Sequence, residues 1–94
     1  MRFEWDPEKA KSNERKHKVS FLEAQTVFYD ENARFMADPD HSETEDRFVI
    51  LGLSSKLRTL VVCHCYRISD NMIRIISARK ATRNERDLYE EEAR

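Results

Sequence analysis

The chain has 94 residues, of which 37% are charged and 39% hydrophobic, with five Phe, three Tyr and one Trp. That length supports one domain with a modest core, and the balance of apolar and charged residues excludes a disordered chain. A net charge of -1, from 17 Lys+Arg against 18 Asp+Glu, does not mark a nucleic-acid binder, and the absence of an 18-residue apolar run excludes a membrane-spanning helix.

Charge is distributed by segment. Basic residues gather at 9–18, 56–58 and 74–86, and acidic ones at 38–46 and 90–92. A local basic face attracts phosphates even where the net charge is near zero. The first residues are charged and lack an apolar h-region, so no secretory signal is read and the expected compartment is the cytoplasm. Cys63 and Cys65, a C-x-C pair on an expected strand, are then read as reduced thiols.

In chain order, residues 2–5 read as a short strand, with Phe3 and Trp5 alternating with polar neighbours. Asp6-Pro7 opens a helix over 7–17, with Asp as N-cap, Pro at the first helical position, and Trp5 and Ala10 placed as a hydrophobic staple. This helix is mostly polar, with Ala10, Asn13 and His17 on one stripe, so its packing must be shallow. Ser20 and Glu23 have capping-box spacing, and Phe21, Ala24, Val27 and Phe28 recur at helical period over 21–29. That helix should supply the main layer over a sheet.

A short strand carrying Phe35 is expected over 33–37, then an acidic loop over 38–46. Residues 48–54 and 57–67 read as strands, separated by a turn near Ser55-Lys56. Gly52, the one glycine, falls inside a strand pattern, which signals a bulge or a close backbone approach. A turn over 68–71 leads to a strand over 72–79, and Thr82-Arg-Asn-Glu85 is a capping box opening a last helix over 83–93. The predicted class is α+β in the order β-α-α-β-β-β-β-α. It has an antiparallel sheet and two N-terminal helices on one face, while the other face must either be covered or be the working surface.

Arg74 lies among the isoleucines of the 72–79 strand. Alternation groups it with Met72 and Ile76, leaving Ile73, Ile75 and Ser77 to face the helices. His64 and Tyr66 share a side of the neighbouring strand and are expected beside Arg74 on the open face, although His64, in a strand interior, reads first as a structural residue. Cations and rings on an open sheet face suit a phosphodiester, charge for phosphate and rings for bases. From composition alone, pairing with the abundant surface carboxylates explains the arginines better. His17 could carry protons as a general acid or base, or could simply complement a helix C-terminus. Asp38, Asp40, His41, Glu43 and Glu45 lack the glycine and spacing of a calcium loop, and a solvated acidic loop is preferred to a metal site.

The residues Phe3-Glu-Trp-Asp-Pro7, Asn13, Arg15-Lys-His17, Val19-Ser-Phe21, Asp38-Pro-Asp-His-Ser-Glu43, Arg47-Phe48, Gly52-Leu-Ser54 and Arg74-Ile-Ile-Ser-Ala-Arg-Lys-Ala81 together resemble the BrnT family of toxins. The match runs nearly end to end, across residues 1–94 as one domain, and the RIISAR-type segment is its most specific part. Lys18 departs from the glycine that commonly follows the Lys-His pair, which implies strain in that turn. The resemblance implies a RelE-like ribonuclease toxin of a type II toxin–antitoxin system. It would be neutralised by a BrnA-like antitoxin with a ribbon-helix-helix region, and operator DNA would be bound only through that complex. It also implies metal-free cleavage, with no cofactor. Arg67, Arg74 and Arg79 are expected to stabilise the transition state, with His17, Tyr89 and Glu45 as candidates for proton transfer or stacking. Lys80, Arg83, Lys16 and Arg47 are expected to hold the RNA backbone. The alternative is a non-enzymatic module that binds a protein through its open sheet face.

Overall fold

The computed structural model describes residues 1–37 and 47–93. The chain forms β1 (Arg2–Glu4), α1 (Pro7–His17), α2 (Phe21–Thr26) running into a 3-10 turn (Val27–Tyr29), and β2 (Arg34–Ala37). It continues through β3 (Phe48–Leu53), β4 (Thr59–Arg67), a 3-10 turn (Ile68–Asp70), β5 (Met72–Lys80) and α3 (Arg83–Ala93). The expected order of elements is the observed one. The acidic segment 38–46 lies outside the described residues.

Local chemistry starts the helices. Asp6 accepts from the Glu8 N–H at 2.8 Å, with Pro7 in the first turn of α1. The α3 capping box forms in both directions: Thr82 N–H donates to Glu85 Oε1 at 2.8 Å, and Glu85 N–H to Thr82 Oγ at 3.2 Å. At α2 only half of the expected box forms. Ser20 Oγ accepts from the Glu23 N–H at 3.1 Å, while the Glu23 carboxylate turns inward to Arg58 and Ser54. Between α1 and α2, Lys18 sits at φ 60° and ψ 32°, the left-handed conformation that favours glycine.

The five strands are ordered β1-β5-β4-β3-β2. β3 to β5 form the expected antiparallel meander, and β2 adds to it antiparallel to β3. The sheet as a whole is mixed, because β1 pairs parallel to β5 in the register Arg2↔Met72, Phe3↔Ile73, Glu4↔Arg74. A hairpin forces its strands antiparallel, but β1 reaches β5 through most of the chain and is free of that constraint.

α1 and α2 cover one face, where Phe21, Ala24 and Val27 pack against Ile50, Val62 and Ile75. α3 covers one end of the other face, where Tyr89 packs with Val49, Leu51 and Val61. Asn13 is the one buried residue of α1 among those described. Its side-chain amide pairs with the backbone of β5 like a missing strand: Nδ2 donates to Ala78 O at 2.8 Å, and Ala78 N–H donates to Oδ1 at 3.0 Å. The same Nδ2 donates to Val19 O at 2.9 Å, which ties the turn after α1 to the sheet. Because β1 is paired only as far as Arg74, the edge of β5 beyond it is left for this amide.

The β4–β5 register shifts between Cys63, opposite Ser77, and His64, opposite Ile75. Ile76 is the extra residue of a bulge, and beyond it alternation reverses. Ala78 therefore enters the helix-covered core, while Ser77 faces the other way, contrary to the regular alternation expected. Gly52 is a close approach rather than a bulge, since a Cβ there would lie 2.8 Å from Val27 Cγ1 and 3.1 Å from Asp30 Oδ2.

Candidate active site

Arg74 lies opposite Cys65, and Arg79 opposite Val61. Cys65 and Val61 are four residues apart on regular β4, so both arginines project from the face opposite α1 and α2. Five residues separate them in sequence, and only the Ile76 bulge brings them to the same side. Arg67, at the end of β4 opposite Met72, shares this face. The three guanidiniums run from the end of the face away from α3 to the edge of α3, over about 15 Å of strand from Arg74 to Arg79.

Each of these arginines is anchored. Arg67 donates through Nη1 to both Glu4 oxygens, at 2.7 and 2.9 Å, and through Nη2 to Asp70 Oδ2 at 2.6 Å. Arg74 Nη1 donates to Glu4 Oε2 at 2.6 Å. The Arg74 hydrogen bond, followed by those from Arg67, holds the Glu4 carboxyl below its ordinary range against the opposing effect of burial. Arg79 forks onto Glu85, at 2.7 and 2.9 Å, and this is the carboxylate that caps α3. The Arg79 bonds, with the Thr82 N–H, pull Glu85 down to about 2. All three side chains stay 40–50% exposed, so their outer faces are open to an anion.

Lys16 and His17 end α1, where a shallow depression joins them to Ile76 and Ser77 of β5. They therefore border β5 between Arg74 and Arg79. Arg83 and Lys80 are exposed around the start of α3, and Arg47 is half-buried just before β3. Glu45 lies outside the described residues.

Tyr89 belongs elsewhere. It is 7% exposed, so its ring is closed to a base. Its hydroxyl donates to Asp30 Oδ2 at 2.6 Å, and Leu53 N–H donates to the same oxygen at 2.8 Å. Burial, with the Asp30 contact, pushes the phenol up to about 12. It ties α3 to the chain leaving α2.

His64 and Tyr66 are not beside the arginines. They share the helix-side face with Val62, and His64 is fully buried. The His64 Nδ1 lies 3.1 Å from Val62 O, so it carries the proton and donates, while Nε2 has no partner. Phe28 and Tyr66 pack edge-on to the imidazole, with centroids at 4.8 and 5.3 Å. Burial lowers the His64 pKa against the opposing Val62 hydrogen bond, which keeps the ring neutral. The residues that sequence reading missed are Glu4 and Asp70. The only signal for Glu4 is a carboxylate inside a short aromatic strand, and its arginine partners lie 63 and 70 residues away.

Among the described residues, no helix is long and apolar enough to cross a membrane, and no three His, Cys, Asp or Glu side chains converge as metal ligands. No curated protein matches the chain significantly in sequence. The crystal structure of the Brucella abortus ribonuclease toxin BrnT resembles it with a TM-score of 0.67 at 21% identity, over 88% of this chain and 99% of that one. At that identity the likeness speaks for the fold. The family model for BrnT, the ribonuclease toxin of type II toxin–antitoxin systems, matches residues 5–85. With 5–85 matched by that model and the backbone matched to a BrnT crystal structure, this chain belongs to the BrnT family of ribonuclease toxins.

Proposed function

We propose that the chain cleaves RNA without a resident metal, by attack of a 2′-hydroxyl on the adjacent phosphorus, on the face that carries Arg67, Arg74 and Arg79. In this reaction the 2′-O–P bond forms as the P–O5′ bond breaks, leaving a 2′,3′-cyclic phosphate and a 5′-hydroxyl. A base takes the 2′-proton, an acid returns one to O5′, and fixed cations stabilise the dianionic phosphorane between them. The observation that carries the reading is the row of three anchored arginines with exposed outer faces. A guanidinium's planar fork matches phosphate oxygens.

His17 is assigned proton transfer, supported by its place beside β5 between Arg74 and Arg79 and by the acid–base chemistry of an imidazole. Glu45 is the alternative base. Lys16, Lys80, Arg83 and Arg47 are assigned to the RNA backbone, and Tyr89 to structure. The partner is a BrnA-like antitoxin with a ribbon-helix-helix region, and the toxin reaches operator DNA only within their complex. Both act in the cytoplasm, and residues 1–94 form a single toxin domain with a RelE-like fold.

The test is inducible expression in a bacterium, scoring growth and total RNA beside an Arg67→Ala/Arg79→Ala variant. Growth arrest with RNA loss is expected, abolished in the variant at equal expression and with an unchanged circular-dichroism spectrum. Undiminished arrest and RNA loss in the folded variant would remove the arginine row from the mechanism.

A further inference from the structure

Glu4 has no part in the mechanism above, yet it is the one described carboxylate in contact with two of its cations. β1 delivers it by pairing parallel to β5, which sets Glu4 directly beside Arg74. Its Oε2 accepts from Arg74 Nη1 at 2.6 Å and from Arg67 Nη1 at 2.9 Å, and its Oε1 accepts from Arg67 Nη1 at 2.7 Å. Two guanidiniums on neighbouring strands repel each other and have many rotamers of their own. A carboxylate bonded to both fixes their separation and the plane of each fork. Asp70 completes the clamp by taking Arg67 Nη2 at 2.6 Å. Arg74 Nε and Nη2 and Arg67 Nε then have no acceptor among the described residues, and their four N–H bonds remain for an incoming anion.

We infer that Glu4 is a positioning residue of the ribonuclease site, holding Arg67 and Arg74 in the geometry that receives the scissile phosphate. The assignment rests on the RNA-cleavage reading. It has an unusual kinetic consequence, because removing a negative charge between two cations makes the face more attractive to RNA while loosening the fork. Binding and turnover therefore separate. Glu4 acts through the arginines, and a displacement of about 1 Å at a reacting centre is enough to cost on the order of a hundredfold in rate.

The experiment is steady-state cleavage of a single-stranded oligoribonucleotide by the wild type, Glu4→Gln and Glu4→Asp, with a thermal melt of each. Glu4→Gln is expected to lower kcat about 10- to 100-fold with KM unchanged or reduced. Glu4→Asp keeps the charge but is one methylene too short to reach both guanidiniums, so its kcat is expected to fall as well. A kcat for Glu4→Gln within twofold of wild type would overturn the assignment. So would full rescue by Glu4→Asp, which would make charge rather than reach the operative property. A KM raised in step with the loss of kcat would overturn it too, by making Glu4 part of RNA binding. A wild type that leaves RNA intact would instead overturn the cleavage reading, and this assignment with it.

Discussion

Lys18 occupies a left-handed conformation, at φ 60°, where its Cβ crowds the backbone. Its N–H closes α1 on Glu14 O at 2.9 Å, and its own carbonyl accepts from Arg58 Nη2 at 3.1 Å, so the conformation is held from both sides. A non-glycine residue there costs about 1–2 kcal/mol. Lys18→Gly is therefore expected to raise stability by about 0.5–1 kcal/mol, or about 4 °C in Tm, after the greater chain entropy of glycine is counted. An unchanged or lower Tm would show that the Lys18 side chain makes up the difference. The departure from the family glycine was legible in the sequence as a strained turn. The residue that follows, Val19, is fully buried in the core.

At the scale of elements, α2 and the turn between β3 and β4 are joined by the buried Glu23. It accepts from Ser54 Oγ at 2.7 Å, from Arg58 Nε at 2.9 Å, and from Arg58 Nη2. The Arg58 bonds, more than Ser54, hold the Glu23 carboxyl below its ordinary range while burial opposes them. Removing the carboxylate strands Arg58 and the buried Ser54 hydroxyl together. Glu23→Ala is expected to cost about 3 kcal/mol in urea unfolding, and Glu23→Gln less, since an amide oxygen can still accept from one of them. Equal losses for the two variants would show that a neutral acceptor holds neither partner and that the charge carries the interaction. The sequence marks Glu23 as a capping-box residue and stops there. Its spacing from Ser20 is the same whether the side chain reaches back to the cap or inward to a turn 31 residues on.

For the whole molecule, the buried and paired titratable groups all favour folding at neutral pH. Glu85 ionises near 4.5 when unfolded and at about 2 when folded, so the unfolded chain takes up the proton first on acidification. Its contribution is complete above about 4.5 and is lost as the pH falls toward 2. The shift alone corresponds to about 3 kcal/mol, reduced by solvent screening to about 1 kcal/mol, since the partner Arg79 is 42% exposed. Glu4, Glu23 and Asp30 are depressed too and act in the same direction. His64 acts earlier. Burial holds its imidazole below 6.5, so the unfolded chain gains that proton first and stability begins to fall below about pH 6.5. Tm is expected to decline in two stages, below about 6.5 and again below about 4.5, with His64→Gln removing only the upper one. A wild-type Tm that is flat from pH 7 to 5 would refute the His64 stage.

The sequence by itself determined the elements and their order, because caps, period and turn residues act over a few positions, as at Asp6-Pro7 and Thr82–Glu85. It also determined the family, through the RIISAR-type segment. What only the tertiary structure decided is which residues share a face. The Ile76 bulge reverses alternation and unites Arg74 with Arg79. The parallel seat of β1 brings Glu4 to both arginines, and His64 and Tyr66 follow Val62 to the helix side. Faces depend on register, register depends on pairing between distant strands, and one extra residue inverts every side chain beyond it.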